Sequence, residues 1–469
     1  AAGASASACS GAAAGGAAPA SASAAAAAGR ALLAGAVVGL AAAGGRRSSA
    51  RLGRDARAGL RGRRLALPKH DGVRLTGGKL LSCVGIVGAP DAAGQEILEC
   101  LQARNFPTER VRLFADRSAD PGRGRGVAAA FARSLRRVLG RGGAEARGRG
   151  HDGGADAAEW TVGTTMHTKW GEVCIEPFSV DAARDCDLVL LAAPGNFSRE
   201  FARQICGGPR ETSVIDSSPA WRLAGDVPLV IPEINGGRRS AEPLVASPSG
   251  ATAIAAMALW PLHMRYGLKK VIVSTYQAAG GAGQDGQAEL EAGIGAWARG
   301  EAVPAPQVFE HQLPFNVIPQ VGAFLDNGYT AEEMNVAHEV RKLFRLPDSV
   351  RISCTAVRVP TLRAHCEAVT VETEDEVDVE EARSVMQDAF GLKVLDEPKD
   401  MEYPLPLSAT GVNDVQVGRI RKSIAFGDRG LDFFVAGDQV LRGAALNAVL
   451  IAEQAVFPKL ERQGARQSA

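Results

Sequence analysis

Apolar residues gather in short unbroken runs separated by glycine-rich turns and by stretches with helical periodicity. Val84–Val87 ("VGIV") is one such run and suits a strand buried on both faces of a parallel sheet. Gly88 and Gly94 bracket a turn behind it, and Ile97, Leu98 and Leu101 then recur at helical spacing. Val111–Phe114 reads as a second strand, and "CDLVLLAAPG" and "TSVIDSSPAW" hold two more, each ending in a loop of small residues. Strands alternating with helices predict an α/β fold with a doubly wound parallel sheet. Farther on, "LVASPSGATAIAAMALWPLH" (244–263) runs from a Ser/Pro/Gly turn into a long apolar helix. A strand–turn–helix junction of this kind is where many enzymes keep a nucleophile.

Two segments break the pattern. Residues 1–50 are dominated by Ala, Gly and Ser, the first acidic residue is Asp55, and Arg accumulates from Arg30. That is the composition of a transit peptide. Within it Ala31–Ala43 is apolar throughout, long enough for a signal-type core but short of the ~20 residues that span a bilayer. The order of the two parts predicts a leader for a plastid reached through the secretory route. The alternatives are a tail that carries no address, and a mitochondrial or cytoplasmic placement. Residues 119–160 are rich in Gly, Arg and Ala and read as a flexible insertion with one basic helical piece at Val127–Leu139.

Charge narrows the partners. The formal net charge of the 469-residue chain is +1, so no global field favours nucleic acid or a membrane surface. The eight cysteines form no CxxC pair and no metal-type cluster with His, so no metal site is expected. Cys83, Cys186 and Cys354 lie in or beside apolar strand-like runs and read as buried reduced thiols.

The Gly88–Gly94 turn has the layout of a dinucleotide site, where glycines let the backbone approach a pyrophosphate at a helix N-terminus. Two residues oppose that reading. Asp91 puts a carboxylate at the middle glycine position, and Pro90 removes an N–H. Arg117 and Ser118, just past the second strand, suit a 2′-phosphate and so NADP, with Asp116 arguing the other way.

Five blocks then occur in order: "VIDSSPAWRLAGDVPLVIPEIN", "KKVIVSTYQAAGGAG", "FNVIPQVGAFLDNGYTAEEM", "VRVPTLRAHCEAVTVE" and "VGRIRKSIAFGDRGLDFFVAGDQVLRGAALNAV". Together they resemble aspartate-β-semialdehyde dehydrogenase in its bacterial and plastid form, over roughly residues 80 to 457 apart from the insertion. N-acetyl-glutamyl-phosphate reductase shares the architecture, but the "STYQA" and "RVP…LRAH" blocks look like the aspartate enzyme. The resemblance implies NADPH-dependent reduction of aspartyl phosphate through a Cys thioester. It also implies a Rossmann-type domain over 79–246 and an α+β substrate and dimerisation domain with a mixed sheet over 247–440. In 441–469, a last helix (Ala444–Val456) returns to the first domain.

Residue by residue, the resemblance places the proton-transfer His at His365 and the orienting Gln at Gln277. Arg358 falls on the substrate-carboxylate position, Glu332 on the contact to the substrate amino group, and Arg222 on one of two phosphate-binding positions. The second phosphate position, a Lys in the family, is Asn335. Gly88, Gly94, Arg117, Ser118 and Asn447 fall on cofactor positions. A guanidinium suits bidentate carboxylate binding, and an imidazole titrates near neutrality. Arg358 and His365 are expected on one strand-like run seven residues apart.

The family's nucleophile motif, Asn-Pro-Asn-Cys-Ser-Thr, falls on Ser247-Pro248-Ser249-Gly250-Ala251-Thr252, so the cysteine position is Gly250. Ser249 neighbours it on the turn, and Cys366 is expected to face away from His365 because successive strand residues point to opposite faces. The expectation is therefore a non-catalytic homologue, a homodimer or a heteromer with an active paralogue, with no membrane or nucleic-acid partner. An active NAD(P)-dependent oxidoreductase with altered chemistry is the alternative.

Overall fold

A computed structural model describes residues 80–116, 162–236 and 242–454. The leader (1–78), the insertion (119–160) with its basic helical piece, Arg117, Ser118 and the end of the last helix beyond 454 lie outside the described residues.

The first sheet is built from β1 (Val84–Val87), β2 (Val111–Ala115), β3 (Thr165–Thr168), β4 (Gly171–Pro177), β5 (Leu188–Leu191), β6 (Ser213–Asp216) and β7 (Leu244–Ala246). Its order is β3-β4-β2-β1-β5-β6-β7. Every pairing in it is parallel except β3 with β4. The expected all-parallel sheet is thus corrected at one edge, where a hairpin supplies an antiparallel strand. "TMHT" and "GEVCIEP" are half-exposed and polar, so they carry no buried-strand signal. Between these strands lie α1 (Ala92–Ala103), α2 (Val180–Arg184), α3 (Gly195–Ile205) and α4 (Pro232–Asn235).

The turn after β7 leads into α5 (Gly250–Tyr266). This helix buries 251–259, Leu262 and Tyr266 on all sides, as an apolar helix without a polar face must. Its residues Ile254, Met257 and Leu259 share one core with Val87 and Leu191 of the first sheet and Val271, Val369 and Phe433 of the second. The core is therefore continuous through both sheets, and α5 is the element that joins them.

The second sheet follows: β8 (Leu268–Gln277), β9 (Arg351–Arg358), β10 (His365–Thr373), β11 (Leu392–Val394), β12 (Val415–Lys422) and β13 (Gly430–Gly437). Its order is β11-β12-β13-β10-β8-β9, with β8/β9 and β11/β12 parallel and the rest antiparallel. This is the mixed sheet expected. Helices α6 (Gly283–Ala298), α7 (Ala331–Phe344) and α8 (Val379–Gln387) and a short α9 (Pro406–Ala409) complete it. One expectation fails here. Arg358 closes β9 and His365 opens β10, and β8 lies between those strands, so the two do not share a run. The chain breaks at 359–364, where Ala364 takes φ +68°.

A π-turn at Leu441–Ala445 precedes α10, described over 446–454. Leu446, Val449 and Leu450 share one core with Val84 and Ile86 of β1 and Leu98 of α1. Among the described residues no helix is long and apolar enough to cross a membrane, and no group of three or more His, Cys, Asp and Glu is placed to hold a metal ion.

Candidate active site

The site assembles around two short backbone segments, the N-terminus of α5 and the turn that follows β8. At the first, Ser249 caps α5: its hydroxyl accepts from the Thr252 N–H at 3.2 Å and meets the Thr252 hydroxyl at 2.9 Å. The Ser249 N–H donates to Glu339 Oε2 at 2.8 Å. Glu339 comes from α7 and is fully buried, and that burial raises its pKa against the pull of Arg222, 3.5 Å away. A protein carboxyl therefore already sits at this helix N-terminus, where anions are stabilised. Arg222 also donates to the Ser217 carbonyl at 2.7 Å and the Ser247 carbonyl at 3.0 Å. Its guanidinium thus binds two loops of the chain itself.

Gly250 is the first residue of α5. A Cβ there would stand 2.9 Å from Gln439 Cβ, and one on Gly443 would stand 2.6 Å from Gly250 Cα. The bare backbone of Gly250 is packed flat against the 439–443 turn. Gln439 continues into the second segment: its Oε1 accepts from the Ala364 N–H at 2.9 Å, and its buried Nε2 has no partner.

The turn after β8 gathers the other candidates. Ala278 donates its N–H to His365 Nδ1 at 3.1 Å and offers its carbonyl to Arg358 Nη1 at 2.6 Å. A Cβ on Gly281 would lie 2.5 Å from Arg358 Nη1 and 3.1 Å from His365 Nε2, so both groups pack closely on this glycine. Gln277 donates to Glu332 Oε1 at 3.2 Å and to Thr275 Oγ1 at 3.4 Å. Glu332 stands in the first turn of α7, which opens on a capping box between Thr330 and Glu333. The structure therefore brings His365, Arg358, Gln277 and Glu332 together, although they come from four separate elements. Cys366 packs on the other side with Ala364, Ala409 and Ala436, as strand alternation requires.

Burial and the Arg358 charge together push the His365 imidazole down to about 3. Because Nδ1 accepts, the ring proton lies on Nε2. A neutral imidazole with its free lone pair engaged is a poor proton acceptor. Burial also lowers the Arg358 pKa, opposed by Glu332 and Glu310.

The dinucleotide turn can be tested against a pyrophosphate. Gly88 adopts φ +84°, and a Cβ there would lie 2.4 Å from the Ala192 carbonyl oxygen. A Cβ on Gly94 would lie 2.2 Å from the Gly88 oxygen. Both glycines are thus required by strand–turn–helix packing alone. The Gly88 and Ala89 N–H groups both donate to the Phe114 carbonyl, the Asp91 N–H donates to Gly88, and Pro90 has none. Asp91 heads α1 with no capping bond from its side chain. Desolvation by the surrounding protein, then the carboxylates of Asp116 and Asp285, raise Asp91 to about 6. The N–H groups of Gly88, Ala89 and Asp91 are thus taken up within the chain, and the Asp91 carboxyl at the head of α1 opposes a pyrophosphate there. On the opposite wall Pro194 heads α3. Asn447 donates to the Ser247 hydroxyl at 2.8 Å and to the Val230 carbonyl at 3.0 Å, and its Oδ1 stays buried without a partner.

Gln439 and Glu339 are absent from the sequence-derived set. Neither carries a local pattern. Each matters only because the fold carries it to the α5 N-terminus.

Two family models match the chain, the semialdehyde dehydrogenase NAD binding domain over residues 154–241 and the semialdehyde dehydrogenase dimerisation domain over 259–442. The first match starts beyond the Gly88–Gly94 turn. The aspartate-semialdehyde dehydrogenase of Aquifex aeolicus is 35% identical over 374 residues, covering 79% of this chain and 96% of its own. That of Synechocystis is 34% identical over 372 residues, with 79% and 96% covered. Among solved structures, aspartate semialdehyde dehydrogenase II from Vibrio cholerae, complexed with ASA, matches at TM-score 0.67 and 29% identity, covering 81% of this chain and 99% of its own.

Proposed function

The chain belongs to the aspartate-semialdehyde dehydrogenase family, and from that premise we propose that it keeps the family's fold and pairing surface without its covalent chemistry. The observation that carries this reading is Gly250 at the head of α5, packed against Gln439 where the family motif places a cysteine. Glycine has no nucleophilic atom, so no thioester forms there. In a serine protease, removing the nucleophile lowers kcat on the order of a millionfold, or about 8 kcal/mol of barrier. The neutral, engaged His365 and the carboxyl at Asp91 support the same conclusion. Neighbouring hydroxyls offer no replacement, because the Ser249 hydroxyl is bonded to Thr252.

What remains is a scaffold. One face of the second sheet leaves Ile272 and Tyr276 of β8 exposed, while Val271 and Val273 face the core. The role proposed is association through this face, as a homodimer or with an active paralogue. NADP is the cofactor the family implies, and weak NADP binding is part of the proposal. So is delivery to a plastid by the leader.

The test is phosphate-dependent reduction of NADP by aspartate semialdehyde with the purified chain. No turnover above background is expected. A rate near that of the relatives would overturn the proposal. A second reading, altered oxidoreductase chemistry, is favoured by the assembled His365, Arg358, Gln277 and Glu332 cluster. It requires cofactor binding, and calorimetry with millimolar NADP or NAD separates the two readings.

A further inference from the structure

Cys83 immediately precedes β1, and Cys186 lies just before β5, the neighbouring strand. Val84 pairs with Leu188 in this parallel ladder, which sets Cys83 opposite Asp187. Asp187 fixes that register twice. Its carboxylate accepts the Cys83 N–H at 2.9 Å, and its own N–H donates to the Cys83 carbonyl at 2.9 Å. The two Sγ atoms lie 3.2 Å apart, both fully buried and both free. Gly85 keeps the space beside them open, since a Cβ there would reach within 3.1 Å of Cys186 Sγ.

We propose that Cys83 and Cys186 form a redox-modification site, a thiol pair that a small peroxide closes to an intrachain disulfide tying β1 to β5. A disulfide bond is about 2.0 Å long, so closure takes roughly 1 Å of sulfur movement. A hydrogen bond joins the two sulfurs, and the Arg110 and Arg112 charges favour a thiolate at either one. One cysteine, as its thiolate, displaces hydroxide from hydrogen peroxide and becomes a sulfenic acid. The other then attacks that sulfur, its proton leaves with the hydroxyl as water, and the disulfide forms. Two thiols are oxidised and one peroxide is reduced to two waters.

Access comes from the N-terminal end of β1, in the interior of the sheet. The chain before Cys83 is held to the 107–109 segment through Leu81, and Leu80 beside it is 48% exposed. Peeling back this short stretch uncovers Cys83 and leaves the rest of the sheet paired.

The test treats the full purified chain with stepped hydrogen peroxide, then alkylates, digests without reductant and reads the peptides by mass spectrometry. The exposed Cys174 is the internal reference. The expected product is a Cys83–Cys186 cross-linked peptide lighter by two hydrogens and released by dithiothreitol. The bond closes a segment 103 residues apart, so Tm should rise by several degrees on oxidation. Cys186→Ala should give neither the cross-link nor the Tm rise. If Cys83 and Cys186 both still alkylate in denaturant at a peroxide level that has oxidised Cys174, the proposal fails. It fails equally if the cross-links join other cysteines. The wild-type measurement stands even if the variant does not fold.

Discussion

The Cβ of Gln439 lies 2.9 Å from the point a Cβ on Gly250 would occupy. Real Cβ atoms do not approach this closely, and the obstructing atom is the stem of Gln439, not a flexible tip. The bare backbone of Gly250 is therefore packed against that stem. Restoring a cysteine by Gly250→Cys should destabilise the protein by about 1–3 kcal/mol, the usual range for overpacking. It should not restore turnover, because burial makes His365 a weak base and its Nδ1 lone pair is engaged with Ala278. Urea denaturation reads the first outcome and the NADP assay the second. Adding Gln439→Gly, which removes that Cβ, should recover part of the lost stability. Full activity in the single variant would show that Gly250 alone disables the site.

Arg222 joins three partners, the Ser217 and Ser247 carbonyls and Glu339. Arg222→Ala should leave Glu339 as a buried carboxyl without its counter-charge and free two loop carbonyls. A loss of about 3 kcal/mol follows from breaking a buried pair on one side. Denaturation midpoints with and without inorganic phosphate check this. If Arg222 is instead held in reserve for a phosphate, stability should hardly change and phosphate should protect the wild type but not the variant.

The sheets were legible in the sequence because buried parallel strands write themselves as unbroken apolar runs. Val84–Val87 is found with the bounds expected, and the strands in "CDLVLLAAPG" and "TSVIDSSPAW" fall at Leu188–Leu191 and Ser213–Asp216. The edge hairpin at Thr165–Pro177 was not legible, since its residues alternate between solvent and sheet without a sustained pattern. The roles expected of His365 and Arg358 came from the resemblance alone, and the structure places both side chains at the turn after β8. Their placement on separate strands was missed although Pro360 lies in the break at 359–364, where Ala364 also takes a left-handed backbone. Gln439 and Glu339 could not be read at all. Their significance lies in packing against a glycine and an N-cap that are distant in sequence.

The His365 imidazole titrates at about 3 in the fold and near 6.5 when unfolded. Between those values the unfolded chain binds the proton and the native chain does not, so stability falls as pH drops below 6.5. From pH 6.5 to 5 this amounts to about 2 kcal/mol, at roughly 1.4 kcal/mol per pH unit. Asp91 and Glu367, whose carboxyls are raised, act in the opposite sense over acidic pH. The comparison of wild type with His365→Asn isolates the imidazole, since an Asn side chain still offers an acceptor to the Ala278 N–H. The wild type should lose more stability on acidification than the variant. Parallel curves for the two would show that His365 takes up a proton as readily in the fold as in the unfolded chain.

Asp91 makes the last case, because its effect changes sign with its proton. The carboxyl titrates at about 6, so at pH 7.5 it is charged, near Asp116 and Asp285, at the head of α1 where the dinucleotide layout would put a pyrophosphate. Removing that charge should strengthen dinucleotide binding roughly tenfold, the scale of one repulsive contact at a few ångströms in partly screened surroundings. Fluorescence titration with NADPH should therefore show tighter binding for Asp91→Asn than for wild type at pH 7.5. The two should converge as pH falls through 6, where the native carboxyl gains its proton. Asp91→Gly should gain further, since it also removes the side chain from the turn, while the missing N–H of Pro90 keeps it short of a full dinucleotide site. Equal affinities at pH 7.5 would mean that the pyrophosphate, if bound at all, lies away from the head of α1.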